Sequence, residues 1–212
     1  MIYYYDELNK INKRNYHYFE KYCSKERIKS LERYIFLNDR IQSILAYILL
    51  RISLMENYQI YDVPLLEKDK NKKPYLKEYP GIYFNLSHCK KAVACIVSSK
   101  QAGIDVQDIT AYDMDSAKIF MTSDEFDITS GKCSDVDYTL IWSRKESYGK
   151  YMGVGICYEM NQWSALNVQD NVDYFIQSHI FNEYIISATA TEEMKLRKIG
   201  FEELEQLCAK FE

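Results

Sequence analysis

The residues best suited to chemistry lie in two short segments that are far apart in the chain. They are residues 103–107, with the sequence GIDVQ, and residues 142–150, with the sequence WSRKESYGK. A carboxylate on a short strand and an acid–base pair on a later helix can together build a site for a divalent cation and a diphosphate. Mg²⁺ prefers oxygen ligands and usually takes one or two carboxylates plus substrate phosphate and water. Asp105 and Glu146 satisfy that count.

The pair Glu146 and Lys150 lies four residues apart on a predicted helix, so both side chains share one face. By itself such a pair is typical of an exposed salt bridge, which contributes only about 0.2–0.5 kcal/mol. Trp142 lies one turn earlier on the same face and indicates that the face is partly buried. A buried acid and base need further partners, which a metal ion and a phosphate would supply.

The strand acid Asp105 lies between Ile104 and Val106, a pattern that by itself indicates a solvated surface carboxylate. Gln107 is two residues further on and therefore faces the same side as Asp105. Its amide oxygen is a candidate metal ligand, directly or through water, but it carries no charge.

A cationic cluster is predicted around His88, at the bend between two strands. Lys90 and Lys91 follow in the sequence and Lys73 is expected nearby, a set that suits a phosphate monoester. The alternatives are a structural histidine at a turn and lysines on a solvated loop. Ser87 faces the opposite way from its neighbour His88, so the two do not form a nucleophile–base pair.

Composition restricts the classes of partner. The 212 residues are 47% hydrophobic and 27% charged, as in a folded protein of one large or two smaller domains. The net charge of −4 argues against nucleic acid binding, which normally needs a basic field. The six cysteines lack metal-binding spacing and indicate reduced thiols. Without a signal layout or an apolar run of membrane-spanning length, we expect a cytoplasmic protein with no membrane partner.

The elements that must position these residues follow from periodicity and turn signals. Strong helices are predicted over residues 24–55, as two consecutive helices, and 135–151, with a tail helix at 201–211. Caps are predicted at Ser24, at Asn38 or Asp39, and in a capping box of Thr122 with Glu125. Turns are expected at residues 80–81, 170–171 and 182–183. Strands are predicted at residues 82–87, 91–98, 103–107, 163–169, 173–181 and 184–191.

The order of these elements, helices then strands and again helices then strands, predicts an α+β fold class. We interpret it as a pseudo-dimer of two similar halves, residues 1–99 and 100–212, each with helices packed on a mainly antiparallel sheet. A site between the halves would combine Lys73 and His88 with Asp105, Glu146 and Lys150. Because such a site is complete within one chain, we expect a monomer.

The ordered motifs resemble those of the 4′-phosphopantetheinyl transferases of the two-half, Sfp-like type. The resemblance covers roughly residues 25–205. It rests on five matches in chain order: Leu49, Leu50 and Arg51; Lys73 and Pro74; residues 84–88 (FNLSH); Gly103, Ile104, Asp105 and Val106; and Trp142, Lys145, Glu146, Ser147 and Lys150.

The resemblance implies a reaction and its partners. Coenzyme A would bind between the halves with Mg²⁺, and a serine of an acyl or peptidyl carrier protein would attack the phosphorus that bears the pantetheine arm. 3′,5′-ADP would leave. Fatty-acid, polyketide, peptide-synthetase and lysine-pathway carriers all remain open as the acceptor. We expect residues 109–130 to contact it, through apolar side chains such as Ile119, Phe120 and Met121.

The resemblance also implies residue roles. Asp105 and Glu146 would hold the metal with Gln107 as a third, neutral ligand, and Lys150 would contact the diphosphate. Glu146, directly or through water, is the candidate base for the incoming serine. Lys73 and His88 would hold the 3′-phosphate of coenzyme A, and the other residues implied for coenzyme A binding are Ser87, Arg40 and Lys150.

Two departures from the family pattern leave alternatives open. Gln107 stands where the family has a third acid, which predicts a two-carboxylate site with weaker Mg²⁺ affinity. Gln42 stands where an arginine often contributes to nucleotide binding, and Arg40 is the candidate substitute. The missing acid favours, as an alternative, a non-catalytic module of the same fold that binds coenzyme A or a carrier protein. A purely structural interaction protein is a third interpretation.

Overall fold

The computed structural model of the chain describes residues 1–128, 133–154, 160–166 and 173–211. Within these ranges the helices are α1 (Lys13–Glu20), α2 (Lys25–Leu31), α3 (Leu37–Tyr58), α4 (Met114–Phe120), α5 (Ser123–Ile128), α6 (Asp135–Met152) and α7 (Phe201–Cys208). The strands are β1 (Ile2–Tyr5), β2 (Leu66–Lys68), β3 (Pro74–Leu76), β4 (Tyr83–His88), β5 (Val93–Ser98), β6 (Ala102–Asp108), β7 (Phe175–Ile180), β8 (Tyr184–Ala190) and β9 (Leu196–Lys198). The α+β class is therefore confirmed.

The first sheet has the strand order β4-β5-β1-β9 and is covered by the long helix α3. Its pairs are antiparallel except for β1 and β9, which run parallel with Ile2 opposite Leu196. The predicted apolar face of α3 is buried, and so is the Arg51 side chain. Arg51 Nη1 and Nη2 donate to the carbonyls of Tyr22 at 2.9 Å and Tyr61 at 2.6 Å. These hydrogen bonds allow a charged side chain to stay inside the core.

The second sheet has the order β6-β8-β7 and is antiparallel throughout, with α6 packed on it. The two sheets meet at their edge strands, β4 and β6. Asn85 Oδ1 accepts from the amide of Ile104 at 3.0 Å, and Ser87 Oγ accepts from the amide of Val106 at 3.1 Å. Side chains of one edge thus satisfy backbone donors of the other, and this join brings the end of β4 beside Asp105.

Most of the predicted elements are confirmed. Ser24 Oγ caps α2 by accepting from the amide of Arg27. The capping box is present, with Thr122 N donating to Glu125 at 2.7 Å and Glu125 N donating to Thr122 Oγ1 at 3.3 Å. The helix over residues 135–151, the turns at 80–81 and 182–183 and the tail helix are also found.

Two local predictions are wrong. Helix α3 starts at Leu37 with Phe36 as its N-cap, so Asn38 and Asp39 lie in the first turn, where an acid complements the helix dipole. Residues 163–166 form no strand, because side chains rather than a neighbouring strand bind their backbone. Ala165 N donates to Glu125 and its carbonyl accepts from Arg144. Residues 167–169 and the turn at 170–171 lie outside the described residues.

The last elements of the chain return to the first sheet. Strand β9 pairs with β1, and α7 contributes Leu204, Leu207 and Cys208 to the core under α3. The predicted division at residue 99 thus separates β9 and α7 from the sheet on which they pack, and the division itself stays a prediction. Among the described residues, no helix has the length and hydropathy that a bilayer span requires.

Candidate active site

The site is built where α6 lies directly on β6. An added Cβ at Gly103 would fall 2.2 Å from the carbonyl oxygen of Ser147 and 2.4 Å from the amide nitrogen of Tyr151. Only glycine allows this approach of strand to helix. The approach places Asp105, two residues along β6, against the face of α6 that carries Glu146 and Lys150.

Asp105 is the centre of a polar cluster that joins the two sheets. Its side chain is buried, with 1% of the residue exposed. Oδ1 accepts from Lys150 Nζ at 2.6 Å and from Ser87 Oγ at 3.2 Å, and Lys150 Nζ also donates to Ser87 Oγ at 3.1 Å. The sequence predicted that Asp105 and Lys150 converge, and Ser87 proves to be the residue that links them to β4.

Glu146 lies beside this cluster. Burial raises the pKa of its carboxyl, Lys150 lowers it, and the nearby charge of Asp105 raises it again. Glu146 Oε1 and Asp105 Oδ2 are both buried and have no hydrogen-bond partner among the described residues. Two buried carboxylate oxygens without donors are costly unless something binds them. The chemistry of this pair, two hard oxygens of like charge, fits a divalent cation.

Gln107 is only partly buried and lines a neighbouring cavity of about 300 Å³ with Ile119 and Trp142. Oδ2 of the next residue, Asp108, accepts a hydrogen bond from the amide of Lys90 at 3.1 Å in the turn after β4, while its Oδ1 is buried without a hydrogen-bond partner among the described residues. In the part of the chain that the structure describes, no three His, Cys, Asp or Glu side chains come together as a metal site. Asp105 and Glu146 are therefore the two described acids that are candidates for the metal site.

His88 ends β4 and is partly buried near the same cluster. Burial lowers its pKa, and the charges of Lys150 and Arg27 lower it further, while Asp39 raises it. The imidazole is thus favoured in its neutral form, surrounded by two cations. That environment attracts an anion, as predicted for His88, although its role stays a prediction.

The other residues predicted to bind the nucleotide make different contacts. Lys73 Nζ donates to the carbonyl of Lys150 at 2.6 Å, at the end of α6. Arg40 Nε donates to the carbonyl of Tyr34 at 2.9 Å. Gln42 is buried and lines a separate cavity of about 760 Å³ beside Lys90. For Lys73 and Arg40, as for Ser87, a ligand contact stays a prediction.

A basic cavity of about 340 Å³ adjoins the hairpin of β2 and β3. Charged side chains line it, with four cations against two acids: Arg27, Arg33, Lys68, Lys72, Glu26 and Glu67. Arg27 Nη2 donates to Ser43 Oγ at 2.8 Å, which fixes the guanidinium on α3. The sequence gave no sign that the hairpin would lie beside Arg27.

A second feature missed from the sequence is the buried pair of Lys145 and Glu125. Both side chains are 0% exposed and their charged atoms lie 2.8 Å apart. Lys145 Nζ also donates to the carbonyls of Phe120 at 2.7 Å and Met160 at 2.6 Å. Lys145 therefore holds the surrounding backbone and Glu125 in place on α6. The next residue of the motif, Glu146, faces the site.

The surface predicted to contact the acceptor is exposed only in part. Ile119 is 73% exposed at the rim of the 300 Å³ cavity. Phe120 and Met121 are buried in the core beneath it, although Phe120 also lines the cavity, and a contact of these residues with a partner stays a prediction. Their side chains are needed to pack α4 against α6. Met114, at the start of α4, is the other exposed apolar residue of this helix. Residues 129–130 lie outside the described residues.

Comparison with known proteins matches the chain to one family. The sequence model of the 4′-phosphopantetheinyl transferase superfamily matches residues 101–198, which include Asp105, Glu146 and Lys150. The chain is 30% identical over 153 residues to the 4′-phosphopantetheinyl transferase psf-1 of Bacillus pumilus, covering 70% of this chain and 66% of that protein.

Two further relatives agree. The 4′-phosphopantetheinyl transferase gsp of Aneurinibacillus migulanus is 28% identical over 78% of this chain and 71% of its own length. The 4′-phosphopantetheinyl transferase Sfp of Bacillus subtilis is 27% identical over 72% of this chain and 70% of its own length.

Proposed function

The chain belongs to the 4′-phosphopantetheinyl transferase superfamily, and we propose that it transfers the 4′-phosphopantetheine arm of coenzyme A to a serine of an acyl or peptidyl carrier protein. The observation that carries this proposal is the convergence of Asp105, Glu146 and Lys150, with two buried carboxylate oxygens that have no partner among the described residues. This arrangement suits a diphosphate bound through a cation.

Asp105 and Glu146 are the residues that would hold Mg²⁺, with Gln107 as an uncharged neighbour. The orphaned oxygens Oδ2 of Asp105 and Oε1 of Glu146 support the fit. When bound, the ion supplies positive charge that neutralises the diphosphate and its leaving oxygen. Lys150, whose ammonium lies on Asp105 Oδ1 and whose side chain is 26% exposed, is placed to donate to the same diphosphate.

The proposed reaction forms one P–O bond and breaks another. The serine oxygen bonds to the phosphorus that carries the pantetheine arm, and the bond from that phosphorus to the bridging oxygen breaks. 3′,5′-ADP leaves with the electron pair of that bond. The serine proton passes to Glu146, directly or through water.

The nucleotide end of coenzyme A is polyanionic, and the basic cavity between α2 and the β2–β3 hairpin matches its charge. Arg27 and His88 are candidates for the 3′-phosphate, since Arg27 lines that cavity and contributes to the positive field at His88. The proposed roles of Ser87 and Arg40 in binding coenzyme A are retained for testing.

We further propose a pseudo-dimeric architecture. Each sheet contains a run of three antiparallel-paired strands covered by one long helix, α3 on the first and α6 on the second. The site lies between them, so one chain supplies all the groups named here, which supports a monomer. We also propose a cytoplasmic location. The acceptor surface lies around Ile119 and the cavity beside Gln107.

The experiment is to incubate the protein with coenzyme A, Mg²⁺ and a panel of apo carrier proteins and to weigh each carrier. We expect one carrier or more to gain the mass of one phosphopantetheine group. No gain across the panel would contradict the proposed function. Calorimetry would then decide whether coenzyme A binds without turnover, as a non-catalytic module predicts.

Glu146→Gln tests the residue that carries the reaction. We expect the transfer rate to fall by about 100-fold or more, the scale seen when a charge-stabilising group is removed from a transition state. Glu78→Gln is the matched control, because Glu78 is exposed on the first half. A rate in Glu146→Gln equal to that of the control, with both variants folded by thermal unfolding, would remove Glu146 from the site.

A further inference from the structure

The side chain of Lys73 spans from the β2–β3 hairpin to the end of α6. Its Nζ donates to the carbonyl oxygens of Lys150 at 2.6 Å, Tyr151 at 3.4 Å and Ala102 at 3.5 Å. The last carbonyls of a helix lack intrahelical partners and carry partial negative charge, so a cation there stabilises the helix end. Lys73 therefore acts in the structure as a cap for α6 that comes from the other half of the chain.

The turn that carries Lys73 is fixed by its own hydrogen bonds. Asp69 Oδ1 accepts from the amides of Asn71 at 2.8 Å and Lys73 at 2.9 Å. The backbone of Asp69 also donates to the carbonyl of Lys73 at 3.0 Å, and Lys72 adopts a φ of 65° to complete the turn. A non-glycine residue at positive φ is strained unless its surroundings require it. The hairpin is thus preorganised to direct Lys73 at α6.

The end of α6 is shaped to receive this side chain. Gly153 closes the helix with a φ of 72°, and an added Cβ there would lie 3.6 Å from Lys73 Cδ. The nearest acceptor, the carbonyl of Lys150, belongs to the residue whose ammonium pairs with Asp105. Lys73 therefore fixes the backbone of Lys150, one turn after Glu146.

An ammonium group has three N–H donors and no acceptor. The three carbonyls that surround Lys73 Nζ match that number. A phosphate contact by Lys73 would require at least one of these three hydrogen bonds to break.

We propose that Lys73 is a positioning residue for the transfer reaction, which holds the C-terminal end of α6 and through it Lys150 and Glu146, and that it is not a ligand of the 3′-phosphate. This inference rests on the proposed function. It predicts that loss of Lys73 reduces the rate of the chemical step while the preference for the 3′-phosphate is kept.

The test compares Lys73→Met with Lys70→Met, which removes the same charge from an exposed position of the same turn. Transfer is measured with coenzyme A and with 3′-dephospho-coenzyme A. We expect kcat to fall about tenfold or more in Lys73→Met only, with the ratio of kcat/KM between the two substrates unchanged from the wild type. A fall of that ratio towards one, with kcat kept, would overturn the proposal and assign Lys73 to the phosphate.

Hydrogen–deuterium exchange without any ligand provides an independent readout. Amides of residues 149–154 should exchange about tenfold faster or more in Lys73→Met than in the wild type or in Lys70→Met. Unchanged exchange would contradict the positioning role even if the wild type shows no transfer, so the two proposals fail separately. If Lys73→Met does not fold, Lys73→Gln, which keeps two N–H donors without the charge, is measured in the same way.

Discussion

At the scale of single residues, the site depends on a pair of acids and on the neutral side chain beside them. Gln107 contributes an amide where the family pattern has an acid, and the neighbouring Asp108 is already bound to the amide of Lys90. Because affinity for a hard cation depends on the charge of its ligands, the pair of Asp105 and Glu146 should bind Mg²⁺ more weakly than three acids would.

Replacing Gln107 by glutamate should strengthen Mg²⁺ binding, because it restores a third acid. We expect Gln107→Glu to lower the Mg²⁺ concentration for half-maximal transfer by about tenfold, the effect of roughly 1.4 kcal/mol. Calorimetric Mg²⁺ titration in the presence of coenzyme A gives the same quantity without turnover. Gln206→Glu adds an equal charge at an exposed position of α7 and should leave the Mg²⁺ requirement unchanged. Equal requirements in Gln107→Glu and the wild type would show that residue 107 does not face the ion.

His88 links the site to the stability of the fold. Its pKa is lowered from 6.5 by burial and by Lys150 and Arg27, so the folded protein binds a proton less readily than the unfolded chain does. Stability from this residue is therefore present above the unfolded pKa and is lost as the pH falls below 6.5 towards the lowered value. His179 has a lowered pKa as well and adds to the same trend.

Thermal unfolding from about pH 8 to about pH 5 tests this sign. In His88→Gln the unfolding temperature should decline less over that range than in the wild type, by about 2–4 °C for each kcal/mol of linked stability. An identical decline in His88→Gln and the wild type would mean that His88 is protonated as easily in the folded state.

At the scale of elements, the contact between α6 and β6 sets the position of every group in the site. Gly103→Ala would place a Cβ within 2.2–2.9 Å of three backbone atoms of α6, which cannot move independently. We expect a loss of about 3 kcal/mol or more in the free energy of unfolding, at the upper end for overpacking, and transfer lost with it. Gly81→Ala is the control, since nothing lies within 4 Å of its added Cβ. Equal stability of the two variants by denaturant unfolding would contradict this account of Gly103.

The same contact shows how far the sequence could predict the site. Periodicity and motif spacing predicted α6, β6 and the meeting of Asp105 with Glu146 and Lys150, because these depend on local pattern and on the order of the motifs. The role of Gly103 could not be predicted, since a close approach leaves no local signal beyond the glycine itself. The pair of Lys145 with Glu125 joins different helices, and the bond from Lys73 to the carbonyl of Lys150 joins the β2–β3 hairpin to α6. The residues of each pair are too far apart in the sequence for helical or strand periodicity to predict the contact.

At the scale of the whole molecule, the two sheets are joined in more than one place. The edge strands β4 and β6 share hydrogen bonds through Asn85 and Ser87, and Lys73 reaches α6 from the hairpin of the first half. The end of the chain then returns to the first sheet, where β9 pairs with β1 and α7 covers the core. This return was not predicted, because a strand of three residues such as β9 gives no clear alternation. It means that the first 99 residues do not contain the whole first core.

Separate pieces of the chain, residues 1–99 and 100–212, test this consequence. The first piece lacks β9 and α7, so it would expose the apolar surface that Leu204 and Leu207 cover in the intact chain. Burial of such surface is the dominant favourable contribution to folding. We therefore expect no cooperative thermal transition from residues 1–99 alone, and a transition when the two pieces are mixed.

A substitution pair in the intact chain makes the same comparison without cutting it. Leu204→Ala, at a fully buried position of α7, should cost about 2–5 kcal/mol in the free energy of unfolding. Glu202→Ala, exposed on the same helix, should cost less than about 0.5 kcal/mol. Cooperative unfolding of residues 1–99 alone, together with a small effect of Leu204→Ala, would show that the first half holds its own core and that the returning tail only covers it. A large effect of Leu204→Ala, with no cooperative unfolding of residues 1–99 alone, would show that the chain folds as one unit. The contact between Lys73 and α6 would then be set by folding, before any ligand binds.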